Sequence, residues 1–247
     1  MEITLQQHIE ILEAGNRIAY QICVVLAAIV GGWFIRQDSK QWTLSEAQRL
    51  TLFTIAFIGA MAGAAIPAHF AGGFVEELTL LTPITPKTVM GGIVFSFLLV
   101  AAYKIAVGNH YDTSDAFARG AISMMAIGRI ACIFQHCCYG KVSDWGMDFG
   151  DGLQRIPVQY IEAIALFAIL AFIQFCHVKN LFPGRRLFLV FLCYGSLRFV
   201  MEFLREPIAD QYLGLGFYQW IALTIALIGL FQLYKRRPQQ RFQGVRI

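Results

Sequence analysis

The sequence predicts an all-α membrane protein: one transmembrane helical domain over residues 1–247, built as a seven-helix bundle with its amino terminus outside and its carboxyl terminus in the cytoplasm. Three observations predict it. The chain is 57% hydrophobic and 15% charged, with a mean hydropathy of +0.57, too little polarity to cover a water-facing surface. Its apolar residues come in long runs, and about 20 such residues cross a hydrocarbon core of about 30 Å. Its basic residues favour alternate connections between those runs, as the cytoplasmic loops of membrane proteins do.

The runs place spans at 17–36, 50–71, 89–107, 119–135, 157–177, 186–204 and 217–235. In hydrocarbon a helix satisfies its backbone donors and acceptors within one segment, so each span reads as a helix. The first follows a polar stretch, Met1 to Asn16, which lacks a signal peptide's short basic start and is expected to leave a retained span. The second needs no special signal. The third opens on Met90-Gly91-Gly92, whose glycines allow close backbone approach. The fourth carries Arg119, Arg129 and several small residues, so it belongs inside the bundle. Pro157 suits the start of the fifth, where no backbone donor is lost. The sixth and seventh are apolar runs separated by a polar connection.

Orientation follows from the connections. One set holds Arg36, Lys40, Arg49, Lys104, Arg119, Lys179, Arg185 and Arg186 and ends in a tail with Lys235, Arg236, Arg237, Arg241 and Arg246. The other holds Arg17, Lys87, Lys141, Arg155 and Arg205, diluted by Glu76, Glu77, Asp144, Asp148, Asp151, Glu206 and Asp210. The first set is expected to be cytoplasmic. The net charge of +4 does not point to nucleic acid, because the basic residues sit between spans and in the tail. Of six cysteines, Cys23, Cys132, Cys176 and Cys193 fall in apolar runs, where Cys behaves as a small hydrophobe. Only Cys137 and Cys138 have polar neighbours, and adjacent cysteines rarely bridge, so no structural disulfide is expected.

Charged groups at membrane depth are costly and usually mark function. Arg129 and Arg198 are expected to face an anionic group in a cavity open to the outer leaflet, the planar guanidinium fork being suited to phosphate. Arg198 and Glu202 are four apart and share a helix face, as do Gln159 and Glu162, three apart. A purely structural alternative pairs Arg198 with Glu202 and bonds Arg129 to backbone carbonyls. Arg205 and Glu206 read as a solvated interfacial pair. Cys137 and Cys138 beside His136 invite a nucleophile; the plainer alternative is a tight turn of small residues. Zinc asks for around four ligands, and His136, Cys137 and Cys138 fall short, so no metal is expected. His69 and His110 read as interfacial.

These segments resemble the prolipoprotein diacylglyceryl transferase family. Gly128, Arg129 and Ala131 match the opening of its signature, Gly140 its closing glycine, and Asp115 its preceding acidic residue. Pro157, Gln159 and Glu162 match its Pro-x-Gln-x-x-Glu element; Tyr194, Gly195, Arg198, Glu202, Arg205, Glu206 and Pro207 match its late pattern. Cys132, Gln135 and Cys137 stand where the signature carries two asparagines and a glutamate, and Met90 stands where its His-Gly-Gly element has the histidine.

The resemblance implies a transferase at the outer face of a bacterial cytoplasmic membrane. Such an enzyme moves the diacylglyceryl group of phosphatidylglycerol onto the cysteine thiol of a lipoprotein precursor, with no cofactor. It assigns donor binding to Arg129, Arg198, Gln159, Gln135, Gly91, Gly92 and Gly140. His136, Glu162 or Glu202 is left as the base, with Cys137 as an alternative nucleophile attacking the donor. Transfer to a different acceptor, and lipid binding or movement without chemistry, are the competing readings.

Overall fold

A computed structural model of the chain describes residues 5–40, 44–71, 89–108, 112–150, 152–205 and 212–236, with side chains described throughout these except in 5–14 and 65–71. Glu76, Glu77, Lys87, His110, Asp151, Glu206, Pro207, Asp210 and the basic tail beyond Arg236 lie outside the described residues, as does the side chain of His69.

Among the described residues seven helices stand where seven runs were read: α1 (Leu5–Ser39), α2 (Glu46–Ala71), α3 (Val89–Ala106), α4 (Ser114–Phe134), α5 (Val158–Val178), α6 (Arg186–Glu202) and α7 (Phe217–Lys235). Six are long and apolar enough to cross a membrane. The exception is α6, whose 17 residues include Arg186, Arg198 and Glu202; at 1.5 Å per residue it spans about 25 Å. Two boundaries differ from the sequence reading. Helix α1 begins at Leu5, twelve residues early, because the polar stretch before Arg17 contains good helix formers and no Pro. Helix α4 begins at Ser114, because Asp112 accepts hydrogen bonds from the Ser114 backbone N–H (3.0 Å) and hydroxyl (2.6 Å) and so serves its first turn. The sequence reading also left the α4–α5 connection without structure. It contains an antiparallel pair, β1 (Val142–Asp148) and β2 (Gln154–Arg155).

Helix α4 is the axis of the bundle. It packs against α1, α5 and α6, and α6 packs against α5 and α7, while α2 pairs with α3. Of the α4 window, 44% is buried, against 17–28% in the other candidate spans, which explains why a span carrying Arg119 and Arg129 is tolerated: it meets protein rather than lipid. Lipid gives helices little apolar reason to associate, so small residues at close crossings matter. A Cβ on Gly195 would lie 2.6 Å from the Ala226 nitrogen, and one on Gly229 2.6 Å from the Leu192 nitrogen, so these glycines set the α6–α7 seam. The core between α4, α5 and α6 holds Ile122, Ala126, Leu166, Ile173, Phe188 and Tyr194, and Phe97 brings α3 onto it through edge contacts with Phe188 (6.0 Å) and Phe191 (5.5 Å).

The two ends of the bundle carry different polar groups. At one, Arg119 bonds Asp38 (Nε to Oδ2, 2.9 Å) and Gln174 (2.9 Å), joining α4 to α1 and α5. At the same end Asp115 accepts from the backbone N–H of Gly184 (2.6 Å) and of Arg186 (2.8 Å), capping α6. Asp115, matched to the family's pattern in sequence, thus ties two helices together at that end. The other end gathers Arg129, Glu162 and Arg198.

Candidate active site

Arg129 lies about a turn and a half before the end of α4, Glu162 in the second turn of α5, and Arg198 one turn before the end of α6. Because α5 runs opposite to α4 and α6, these three positions fall at the same depth. Glu162, fully buried, bridges the two arginines: Oε1 accepts from Arg129 Nη2 at 2.5 Å and Oε2 from Arg198 Nη1 at 3.1 Å. Arg198 also donates to Glu202 Oε2 at 2.7 Å, one turn on along α6. The structural pairing of Arg198 with Glu202 is therefore present. The partner of Arg129 is Glu162, and among the described residues it makes no bond to a backbone carbonyl.

Each guanidinium carries five N–H donors, and these bonds leave donors on both. One turn before Glu162, Gln159 is fully buried and neither its Oε1 nor its Nε2 has a partner among the described residues. A buried amide left unpaired costs about 1–3 kcal/mol, and such a group one turn from a glutamate that holds the buried Arg198 and the half-buried Arg129 is where a ligand's polar atoms would be expected.

A model of the family described as prolipoprotein diacylglyceryl transferase matches residues 12–235. This chain belongs to that family. Among its relatives is a phosphatidylglycerol–prolipoprotein diacylglyceryl transferase of Pasteurella multocida (strain Pm70), 34% identical over 220 residues, covering 83% of this chain and 80% of the relative. Proteins of the same name from a Wolbachia of Brugia malayi (28% over 236 residues, 86% of this chain and 85% of the relative) and from Bordetella bronchiseptica (32% over 192 residues, 71% and 70%) are also similar. Every member of the arginine–glutamate cluster lies inside the matched stretch.

In this transferase the loop after α4 is locked against the cluster. Gly140 donates its N–H to the Ile156 carbonyl (2.8 Å), Lys141 to the Leu204 carbonyl (2.9 Å), and Ile156 back to Lys141 (3.0 Å). A Cβ at Gly140 would sit 2.5 Å from the Leu204 carbonyl oxygen, so the closing glycine of the signature is required by close backbone approach. Arg205 donates to the Cys138 carbonyl at 2.8 Å, tying the turn to the end of α6, and the Arg155 guanidinium lies 4.8 Å from the Tyr139 ring centre.

The turn itself is bent back. His136 and Cys138 have φ of 49° and 66°, left-handed values costly for residues with a Cβ. The bend returns Cys137 and Cys138 to α4, where the sulfurs of Cys132, Cys137 and Cys138 lie within 4.8 Å of one another. Cys132 also receives a long contact, 3.8 Å, from Arg129 Nη1. Sharing hydrogen bonds with the Cys132 and Cys137 thiols draws the Cys138 thiol well below its ordinary range, helped by the charges of Arg205 and Arg129. The same sharing, with burial, pushes the Cys137 thiol up.

His136 and Gln135 are exposed, and the His136 ring faces Phe149 at 6.5 Å between centroids. Gly91 and Gly92 serve the α2–α3 contact: a Cβ on Gly92 would lie 3.0 Å from the Ala60 carbonyl oxygen, and the Gly91 carbonyl lies against Gly63. Met90 is buried in the central core with Ile122 and Tyr194. Sequence reasoning missed two features: the Glu162 bridge between helices, and the part played by Cys132, which sits in an apolar run five residues before Cys137 and gives no signal until the turn is seen.

Proposed function

We propose that this protein transfers the diacylglyceryl group of phosphatidylglycerol to the cysteine thiol of a lipoprotein precursor. It does so at the outer face of a bacterial cytoplasmic membrane, which it crosses seven times with its amino terminus outside, working as one transmembrane domain over residues 1–247. The observation that carries the reading is the convergence of Arg129 and Arg198, from different helices, on Glu162, with the orphaned Gln159 amide one turn away. Membership of the family and the names of its relatives support the reaction.

The charge balance suits the donor. Three arginines (129, 198, 205) against two glutamates (162, 202) leave one net positive charge, the complement of a phosphodiester's single negative charge. Glu162 holds both guanidiniums in place before the donor arrives, so no ordering is left for the moment of reaction. Their remaining donors take the phosphate oxygens, and Gln159 bonds the headgroup. As the acceptor thiol gives up its proton to water and its sulfur attacks the glycerol carbon, the C–O bond breaks and glycerol phosphate leaves with its growing charge against Arg129 and Arg198. Both Glu162 oxygens are committed to guanidiniums, so it orients rather than receives a proton. Gln135 and His136, exposed on the turn, are placed to meet the acceptor. Gly140 holds that turn against the donor site, and Gly91 and Gly92 fix α3 behind it.

The test uses the purified full chain in vesicles containing phosphatidylglycerol labelled in its acyl chains, with a lipoprotein-precursor peptide. Mass spectrometry should find the peptide heavier by one diacylglyceryl group. Arg129→Ala and Arg198→Ala should each lower the rate by 100-fold or more, roughly the loss expected when a charged donor to a developing anion is removed. Label on another acceptor would redirect the reading, and donor binding without any transfer would leave a lipid-binding protein.

A further inference from the structure

The three sulfurs at the end of α4 are not used by the chemistry derived above, and they form a built cluster. Cys132 is fixed on the last turns of α4. Cys137 and Cys138 are brought back to it by two departures into left-handed backbone, at His136 and Cys138, neither of them glycine. The bend is pinned from three sides, by the Cys137 N–H to the Cys132 carbonyl (3.2 Å), by Gly140 to Ile156 (2.8 Å) and by Arg205 to the Cys138 carbonyl (2.8 Å). Strain held this firmly usually belongs to a site. All three sulfurs fall within 4.8 Å of one another, and Cys138 is open to solvent.

We propose that Cys132, Cys137 and Cys138 bind one zinc ion, and that its fourth position takes the acceptor thiol as a thiolate. Sulfurs bound to zinc at about 2.3 Å in a tetrahedron lie about 3.8 Å apart, so each pair here needs to close by an ångström or less. A disulfide needs a sulfur–sulfur distance near 2.05 Å, a much larger movement for a turn already pinned. Soft thiolate ligands select zinc over hard cations. Three protein ligands and one open position is the composition of a reactive zinc site rather than a structural one. Among the described residues no other His, Cys, Asp or Glu joins the cluster to fill the fourth place, and His136 turns to Phe149 instead.

The location gives the ion its task. Cys132 touches Arg129 Nη1 at 3.8 Å, so the zinc sits one guanidinium away from the donor's phosphate. The acceptor of the proposed transfer is itself a thiol, and this part of the inference rests on that reading. On coordination the acceptor's S–H proton passes to water. The zinc-held sulfur then forms a bond to the glycerol carbon, and the C–O electron pair leaves with the phosphate oxygen as glycerol phosphate. The thioether product binds zinc weakly and departs, and nothing is oxidised or reduced. The site therefore supplies an ionised thiol without a general base, beside a cluster whose two glutamates, Glu162 and Glu202, are already bonded to arginines, in a chain with Met90 buried in apolar core.

The full chain is purified in detergent without chelator, and its metal content, free thiols and melting behaviour are measured. One zinc per chain is expected, falling to background in Cys132→Ser, Cys137→Ser and Cys138→Ser and unchanged in Cys193→Ser. Replacing zinc by cobalt gives a visible spectrum that should shift when a precursor peptide is added and stay still with its Cys→Ser counterpart. Melting within a few degrees of the parent shows that a serine variant has folded; where one does not, the cobalt spectrum of the parent decides. Zinc retained equally by the triple serine variant, a disulfide among the three cysteines in the isolated protein, or transfer at full rate after chelation overturns the proposal and leaves the transferase reading intact. Thiol-dependent cobalt shifts with no transfer to the peptide would keep the metal site and sink the transferase reading instead.

Discussion

At the scale of single residues, Gln159 and Glu162 separate function from stability although they are three residues apart on one helix. The Gln159 amide is buried and has no partner among the described residues, so the folded protein already carries its desolvation cost of about 1–3 kcal/mol. Gln159→Leu should leave the melting temperature unchanged or raised, while the KM for phosphatidylglycerol rises roughly tenfold, the worth of a hydrogen bond to a charged headgroup. Glu162→Gln does the reverse. It leaves the buried Arg198 and the half-buried Arg129 facing a neutral group, and breaking a buried ion pair costs about 3–5 kcal/mol. A fall in melting temperature together with loss of transfer is expected, and a stable, active Glu162→Gln would remove the bridge from the account. The individual candidates Arg129, Arg198, Gln159, Glu162 and Glu202 were legible in the sequence because charge and amide groups in apolar runs are conspicuous. What was not legible is which oxygen serves which guanidinium, since helix spacing relates only residues on one helix, and Glu162 acts between three. Cys132 was missed for the complementary reason. In an apolar run a thiol looks like a small hydrophobe, and only the left-handed turn at His136 and Cys138 turns it into one member of a trio.

Among the elements, the helices were readable and the connections were not. All seven apolar runs became helices, most within a few residues, because a run long enough for hydrocarbon leaves the backbone no other choice. The hairpin of β1 and β2 escaped because its strands are short, mostly exposed and polar, and carry no alternation of apolar residues. Its value lies in what it holds. Gly140 and Lys141 lead into β1 and are bonded to Ile156 and Leu204, so the hairpin clamps the ends of α4, α5 and α6 together. Gly140→Ala places a methyl group 2.5 Å from the Leu204 carbonyl oxygen, and the obstacle is backbone, which cannot rotate away. The loop must shift, carrying the cysteine turn away from Arg129. Transfer should fall at least tenfold, as expected for a displacement of about 1 Å in a positioned site, with α-helical content by circular dichroism unchanged. Wild-type rates for this variant would mean that the clamp does not position the site.

For the whole molecule, the distribution of polar groups across the bundle supports the proposed orientation. The end with Arg119, Asp38, Gln174, Asp115 and Arg186 is a set of inter-helix ties, each cation meeting a carboxylate, an amide or a carbonyl. The other end gathers three arginines, two glutamates and an unpaired amide around a thiol cluster. The donor lipid and a secreted precursor can meet only on the outer face, so the second end must point outward for the proposed reaction. Asp144, exposed on β1, and Lys179, exposed after α5, lie on opposite sides of the span between them. In intact cells, in a background with Cys132, Cys137 and Cys138 replaced by serine, a membrane-impermeant maleimide should label Asp144→Cys at once and Lys179→Cys only after the membrane is opened. The positive-inside bias makes the same assignment, since Lys179, Arg185 and Arg186 share one connection while Asp144 and Asp148 dilute the other. The reverse labelling pattern would put Arg129 and Arg198 at the cytoplasmic leaflet, out of reach of a translocated precursor, and the transferase reading would fail with it.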